Sequence, residues 1–276
     1  MSRKIVDIKD LHVRIGKKQV LKGLNIAFYR GEYVVIAGKS GAGKSTFLRC
    51  LSGSILPDAG WIVPDKDLSR KKIGFISDGR SLFSHFTISR MVNFHTRIYG
   101  IKNFDNTLIK ELKLSPGRKI KSLSMGERTL FHLTLVLNQK PDLLLVDEVI
   151  HAIDPFLRER FLESVLDIIE ERGTATIAVN HTFSDIEKIP ERVLILDEGR
   201  FILDEKTDDL KNRLKKVATK EPLPKNIPVV FKKETGFCRE YFIYPFDEKF
   251  RRDSSFLFED IKLEEIIKAF IGGRYV

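Results

Sequence analysis

Apolar residues along this chain fall into short unbroken runs, separated by longer stretches in which they recur with helical spacing. Unbroken runs of about five apolar residues are typical of strands buried on both faces of a parallel sheet. Such runs predict strands at 33–37, 73–77, 143–146, 175–179, 193–196 and 201–203. Since these strands alternate with helical stretches, the pattern predicts an α/β fold around a mostly parallel sheet.

Three helices are predicted between these strands. Lys44–Ser52 follows the first strand through a glycine-rich turn, and Thr87–Tyr99 shows the clearest helical spacing. Pro155–Arg172 begins after Asp154 and ends before Gly173. Aspartate before a helix accepts a backbone N–H, proline suits the first helical position, and glycine commonly follows the last one. Both boundaries of the third helix are therefore predicted from the sequence.

The composition changes at about residue 219, where four prolines between residues 222 and 245 argue against a continued helix. The tail predicts strands at 229–231 and 241–244, followed by a helix with an apolar face. That face comprises Leu263, Ile266, Ile267, Phe270 and Ile271. We therefore predict a first domain over 1–218, with a helical subdomain at about 80–135, and a small α+β appendage over 219–276.

Charge and composition narrow the class of protein only slightly. The formal net charge of +10 favours an acidic partner, which includes phospholipid headgroups, nucleic acid and nucleotides. No stretch reaches the roughly 18 apolar residues of a membrane span, and the charged first ten residues lack the apolar core of a signal peptide. Cys50 and Cys238 lie too far apart for a metal-type spacing. We expect a protein of the reducing cytoplasm.

A phosphate-binding loop lies between the first predicted strand and helix. Residues 38–46 read Gly-Lys-Ser-Gly-Ala-Gly-Lys-Ser-Thr and match the pattern G-x-x-x-x-G-K-[ST]. The glycines free the backbone N–H groups to wrap phosphates, Lys44 supplies a charge for the β- and γ-phosphates, and the Ser45 hydroxyl can ligate Mg²⁺. A strand before the loop and a helix N-terminus after it favour anion binding.

Two further segments carry candidate chemistry. Asp147 and Glu148 end a buried strand, where parallel sheets present ligand-binding groups. Ser124-Met125-Gly126-Glu127 forms a capping box ahead of a helix. A small, flexible turn at a helix N-terminus can also receive an anion.

These three segments, in this order, resemble the ATP-binding subunit of an ABC transporter over roughly residues 1–218. The resemblance implies a P-loop NTPase of the ABC ATPase type: a RecA-like core with a mixed sheet, an antiparallel β subdomain and a helical signature subdomain. It also implies an ATPase that uses ATP and Mg²⁺. The residues 219–276 would then form the appendage.

The same resemblance assigns roles to individual residues. Glu148 orients the attacking water, Lys44 assists, and His181 senses the γ-phosphate. The magnesium set is Ser45, Asp147 and Asp78. The nucleotide contacts comprise Gly38, Lys39, Ser40, Gly41, Ala42, Gly43, Lys44, Ser45, Thr46, Ile15, Ser124, Gly126 and Asp154. Asp154 also suits a helix N-cap, and both readings stay open; the other histidines are taken as structural.

The chain departs from the family pattern at four positions. Ile15 replaces an aromatic residue that stacks on adenine, so selectivity for the base is expected to be loose. Asp78 replaces a glutamine, Met125 a glycine and Glu127 another glutamine. An acid at Glu127 is expected to weaken binding of an anion slightly.

The Ser-Met-Gly-Glu turn, Asp78 and the last residues of the tail resemble the type-two exporter branch of the family. This implies export of an unidentified substrate through a separate transmembrane permease subunit, driven by closure of two ATP-binding subunits around ATP. We expect a cytoplasmic protein on the inner face of the cell membrane, with no nucleic-acid partner. The alternatives are an ABC-type ATPase acting on nucleic acid or ribosomes, which the basic charge suits, and a protein whose ATP site is only regulatory.

Overall fold

The computed structural model describes residues 3–77, 82–149, 153–179, 190–235, 238–252 and 256–272. The strands are β1 Lys4–Ile15, β2 Lys18–Tyr29, β3 Tyr33–Ala37, β4 Ala59–Pro64, β5 Ile73–Ile76, β6 Leu143–Asp147, β7 Ala175–Val179, β8 Arg192–Asp197, β9 Arg200–Lys206, β10 Lys215–Thr219, β11 Val229–Thr235, β12 Cys238–Ile243 and β13 Glu259–Asp260. The helices are α1 Lys44–Leu51, α2 Ile88–Tyr99, α3 Thr107–Glu111, α4 Met125–Asn138, α5 Pro155–Arg172, α6 Thr207–Arg213, α7 Glu248–Arg252 and α8 Leu263–Gly272.

A six-stranded sheet forms the centre of the molecule, in the order β5-β6-β7-β3-β8-β9. The first five strands of this order run parallel to their neighbours, and β9 returns antiparallel to β8. Every residue of β3, β6 and β7 is buried, because helices and a second sheet cover both faces. The predicted α/β fold with a mixed sheet is therefore confirmed.

The second sheet is antiparallel, with the order β2-β1-β4. It packs on one face of the central sheet, where Phe28 of β2 meets Phe47 of α1 with their ring centroids 6.1 Å apart. The strands β1 and β2 are each 12 residues long, and the apolar pattern of the sequence predicted bounds for neither of them. This sheet matters for function because β1 ends at Ile15, beside the phosphate loop.

The helices α4 and α5 cover the opposite face of the central sheet and share its core, as Leu130, Phe161 and Val146 show. The predicted bounds of α5 are confirmed: the Asp154 carboxylate accepts a hydrogen bond from the Leu157 N–H at 3.1 Å, and Gly173 follows the helix at a φ of 63°. Helix α2 begins at Ile88 because Thr87, the first residue predicted for it, is its N-cap.

The tail forms a four-stranded sheet in the order β11-β12-β10-β13. Its strand β10 begins at Lys215, inside the segment that the sequence assigned to the first domain. The helix α8 buries Leu263, Ile266 and Ile267 in the same core as α5 and the central sheet. The predicted appendage therefore shares a hydrophobic core with the first predicted domain.

None of the helices in the described ranges combines the length and the apolar composition that crossing a bilayer would require.

Two buried histidines lie near each other, His95 on α2 and His132 on α4. His95 and His132 are each 7% exposed, and burial lowers the pKa of both to about 4. The pKa of His132 falls further because His95 lies nearby, although the Ser77 backbone opposes this by hydrogen bonding. The Nδ1 atom of His132 has no hydrogen-bond partner among the described residues. An added proton there would leave a buried charge without an acceptor.

We expect the stability of the protein to fall as the pH drops below about 6.5. The unfolded chain binds protons on these histidines below pH 6.5, whereas the folded chain binds them only near pH 4. The free energy of unfolding is therefore at its full value above pH 6.5 and decreases as the pH falls toward 4. Each histidine should contribute about 2 kcal/mol of this loss by pH 5. Denaturant unfolding between pH 7.5 and 5 measures it. His132→Gln should flatten the profile, and a wild-type profile that is flat over this range would contradict the prediction.

Candidate functional site

The phosphate loop joins β3 to α1, and two of its glycines have no room for a side chain. Gly38 has a φ of 153°, and a Cβ atom there would lie 2.1 Å from the Leu196 carbonyl oxygen. Gly43 is the N-cap of α1 at a φ of 111°, and its Cβ would lie 2.8 Å from Leu21 Cδ2. Backbone conformations of this kind favour glycine. The loop is thus fixed against both neighbouring sheets, with the N-terminus of α1 at its end.

Lys44 is held by the loop that surrounds it. Its Nζ donates hydrogen bonds to the carbonyl oxygens of Gly38 at 2.8 Å and Lys39 at 3.0 Å, and lies 3.8 Å from Glu148 Oε1. Burial lowers the pKa of Lys44, while the carboxylates of Glu148 and Asp147 oppose that shift. The ammonium group therefore lies inside the site, where a phosphate oxygen would strengthen its charged form.

Ser45 and Asp147 form a pair of oxygen donors beside Lys44. The Ser45 hydroxyl donates to Asp147 Oδ1 at 2.9 Å. Asp147 is 8% exposed, and burial raises its pKa, although the Ser45 hydrogen bond opposes this. A buried carboxylate whose charged form is disfavoured is well suited to a cation. Hard oxygen ligands of this kind fit Mg²⁺.

Glu148 follows Asp147 in a backbone conformation that is uncommon for a residue with a side chain. Its φ is 52°, and its N–H donates to the Val179 carbonyl at 3.2 Å. Such conformations cost free energy and often occur at functional sites. The Glu148 side chain is 39% exposed and lines the same cavity as the phosphate loop.

That cavity has a volume of about 410 Å³, which is within the range of small-molecule sites. The structure brings together in it most of the predicted nucleotide contacts. Its lining comprises Ile15, Lys18, Val20, Ser40, Gly41, Gly43, Lys44, Ser45, Thr46 and Glu148. Lys18 and Val20 were not predicted, and the only signal for them was their position just after Ile15. They place the first hairpin of the chain at the mouth of the cavity.

We expect Ile15→Tyr to tighten ATP binding without faster turnover. Ile15 is 53% exposed at the edge of the cavity, where an aromatic ring could stack on adenine and gain about 1 kcal/mol, or roughly fivefold in affinity. Ile15→Leu, which adds no ring, is the control. Calorimetric titration with ATP measures the difference. Equal affinities of the Tyr and Leu variants would mean that the base is held elsewhere.

The turn at residues 124–127, here called the signature turn, forms a second cluster outside the lining of the cavity. The Ser124 hydroxyl accepts from the Glu127 N–H at 3.1 Å, and Glu127 Oε2 accepts from the Ser124 N–H at 2.8 Å, which is the predicted capping box. A Cβ atom on Gly126 would lie 2.7 Å from Leu157 Cδ1 and 3.6 Å from Asp154 Oδ2. Ser124, Gly126 and Asp154 therefore adjoin each other, and none of them lines the cavity around Lys44.

An ion pair that the sequence analysis did not predict compensates the charge of Glu127. Arg118 donates from Nη1 and Nη2 to the two Glu127 carboxylate oxygens at 2.7 and 2.8 Å. This ion pair lowers the pKa of Glu127. Arg118 precedes Glu127 by nine residues across a turn, and no motif singled it out.

Two of the predicted site residues, Asp78 and His181, lie outside the described residues. Their roles stay predictions that follow from the family pattern.

Comparison with known protein families supports the resemblance. A family profile described as ABC transporter matches residues 21–151. The L-cystine import ATP-binding protein TcyN of Bacillus subtilis is 30% identical over 248 residues, which cover 81% of this chain and 94% of TcyN.

The methionine import ATP-binding protein MetN of Rhizobium johnstonii is 30% identical over 219 residues, which cover 73% of this chain. The matched part spans only 60% of the length of MetN. Among solved structures, the dimeric post-hydrolysis state of the ATP-binding cassette MJ0796 bound to ADP and Pi matches with a TM-score of 0.63 and 24% identity, covering 74% of this chain and 99% of that one. This likeness shows the fold.

Proposed function

Because the chain belongs to the ATP-binding proteins of ABC transporters, which are ATPases, we propose that it powers a separate membrane permease by ATP-driven closure of a dimer. The observation that carries this proposal is the convergence at one cavity of Lys44, the Ser45–Asp147 pair and Glu148. A cation for the phosphates, oxygen donors for a metal and a carboxylate for water are the groups that ATP hydrolysis requires.

Each of these groups has a role in the proposed reaction. The loop N–H groups and the α1 N-terminus bind the phosphates, and Lys44 neutralises the β- and γ-oxygens. Glu148 accepts a proton from the attacking water and orients it toward the γ-phosphorus. Ser45 and Asp147 would hold Mg²⁺, which supplies charge to the β- and γ-phosphate oxygens when it is bound.

The separation of the signature turn from the cavity supports closure between two subunits. Ser124 and Gly126 lie outside the cavity of their own chain, so a second copy or a related subunit would supply them to the γ-phosphate. ATP would then bridge two surfaces, and hydrolysis would remove the bridge. ATP can shift the subunits between an open and a closed state only if the γ-phosphate makes different contacts in the two states.

The direction of transport and the location belong to the proposal as well. The Ser-Met-Gly-Glu turn at 124–127 and Asp78 favour the exporter branch, whereas the relatives named above carry import in their names. We keep export as the hypothesis, with the protein bound peripherally to the permease on the inner face of the membrane.

Affinity capture from detergent-solubilised membranes tests the partner. A polytopic membrane protein that co-purifies in a defined ratio would support transport. The reconstituted pair in vesicles, with ATP supplied on one side, would then show the direction by where substrate accumulates. Salt-sensitive binding to DNA or RNA with no membrane partner would instead favour the alternative that the net charge of +10 suits.

A further inference from the structure

The signature turn of this protein carries a carboxylate where the family pattern has a neutral amide. Glu127 occupies the third position of α4 and completes the capping box with Ser124. A glutamine can complete the same box, so capping alone does not require the negative charge. An uncompensated carboxylate here would lie beside the surface that must approach a triphosphate, and like charges would oppose closure.

Arg118 forms an ion pair of fixed geometry with the Glu127 carboxylate. Its guanidinium makes two parallel hydrogen bonds to Glu127, at 2.7 and 2.8 Å. The side chains of Arg118 and Glu127 are only 32% and 22% exposed, so the pair is less screened by water than an ordinary surface pair. Two parallel hydrogen bonds of this kind fix the orientation of the carboxylate and compensate its charge.

The backbone around Arg118 is itself anchored, which fixes the position of the guanidinium. The Arg118 carbonyl accepts from the N–H of Ile88, the first residue of α2, at 3.0 Å. Its Nη2 also donates to the Ser122 carbonyl at 2.9 Å, two residues before the signature serine. Arg118 therefore links the start of α2 to the turn that begins α4.

We propose that Arg118 is a positioning residue for this ATPase, which neutralises Glu127 and holds the Ser124–Gly126 turn ready to receive the triphosphate of a partner subunit. Arg118 does not line the cavity, and it contacts the turn through Glu127 and the Ser122 carbonyl. The neutralising part of its role acts through Glu127 alone. The inference rests on the proposed closure of a dimer around ATP.

A double-mutant cycle separates charge compensation from a merely structural role. Arg118→Ala, Glu127→Gln and the double variant are each made in a Glu148→Gln background, in which hydrolysis is blocked. The ATP concentration that gives half-maximal dimerisation is measured by analytical ultracentrifugation with excess Mg²⁺. Binding of ATP to the monomer is measured separately by calorimetry at protein concentrations below dimerisation.

Arg118→Ala should raise the half-maximal ATP concentration for dimerisation by about tenfold. Its ATP affinity as a monomer should stay unchanged, since Arg118 does not line the cavity. Glu127→Gln alone should stay within about twofold of the reference, because glutamine keeps the cap. In the double variant dimerisation should recover to within about twofold of the reference, because no charge is left to compensate.

Arg160→Ala is the matched control. Arg160 makes a similar paired contact with Glu111, at 2.9 and 3.0 Å, between α5 and α3, and its loss should leave dimerisation unchanged. Thermal unfolding of each variant confirms that it is folded. Dimerisation of Arg118→Ala at the reference ATP concentration would overturn the inference, as would a double variant as weak as Arg118→Ala. A reference protein that stays monomeric in saturating MgATP would overturn the closure model and this inference with it.

Discussion

Glu148→Gln is expected to lower ATP hydrolysis by about 10²- to 10⁴-fold and to trap a dimer with ATP bound. The carboxylate lines the cavity 3.8 Å from Lys44 Nζ, where it can accept the proton of the attacking water. A glutamine has a similar shape and cannot accept that proton, so the triphosphate bridge would persist. Phosphate release at saturating MgATP measures the first effect, and light scattering after gel filtration measures the second.

Glu198→Gln is the matched control for this variant. Glu198 also has a left-handed backbone, with a φ of 44° beside the 52° of Glu148, but it lies in the turn between β8 and β9. Its replacement should leave hydrolysis unchanged. If Glu148→Gln hydrolysed ATP within threefold of the wild-type rate, another group would have to act as the base. If it stayed monomeric in MgATP, closure around ATP would be excluded.

Lys44→Ala is expected to weaken ATP binding by about 100-fold, which corresponds to about 3 kcal/mol. The Lys44 side chain is 3% exposed and its ammonium lies inside the phosphate loop. Among the residues that the structure describes, Lys18 is the one other lysine or arginine that lines the cavity. The β- and γ-phosphates would lose the cation enclosed with them, in surroundings where water screens charge poorly. Calorimetric titration with MgATP measures the change.

Lys39→Ala provides the comparison within the same loop. The Lys39 side chain is exposed, and only its backbone carbonyl contacts Lys44, at 3.0 Å. Its loss should cost no more than about threefold in affinity, through weaker long-range attraction. Thermal unfolding without nucleotide would show whether either variant has lost the loop itself. Equal affinities of Lys44→Ala and the wild type would contradict the assignment of this loop to phosphate binding.

The parts of the fold that could be predicted from the sequence are those set by local patterns. The buried strands β3 and β7 and the helix α5 have the predicted bounds. Apolar runs and end-capping residues fix such bounds through interactions between residues that are close in sequence. The family resemblance implied the second sheet as an antiparallel β subdomain, but the apolar pattern did not predict its long strands, because β1 and β2 pair with several irregularities in register. Such irregularities interrupt the alternation by which strands are recognised.

The candidate site likewise contains residues that the sequence predicted and residues that it did not. The phosphate loop is contiguous in sequence, so its glycines, Lys44 and Ser45 were predicted together. Arg118 was not predicted, because its contact with Glu127 depends on how the turn before α4 folds. Gly199 was not predicted to belong to the site, yet its N–H donates to the Ala42 carbonyl at 3.2 Å and so supports the phosphate loop.

The sequence by itself determined that this chain has a phosphate-binding loop, two carboxylates at a strand end and a capped signature turn. Each of these is a run of adjacent residues whose chemistry depends on spacing along the chain. Only the tertiary structure decided which runs meet: Glu148 lies in the cavity of Lys44, while Ser124 and Gly126 lie apart from it. Sheet order and helix packing set such distances, and they arise from contacts between residues far apart in sequence.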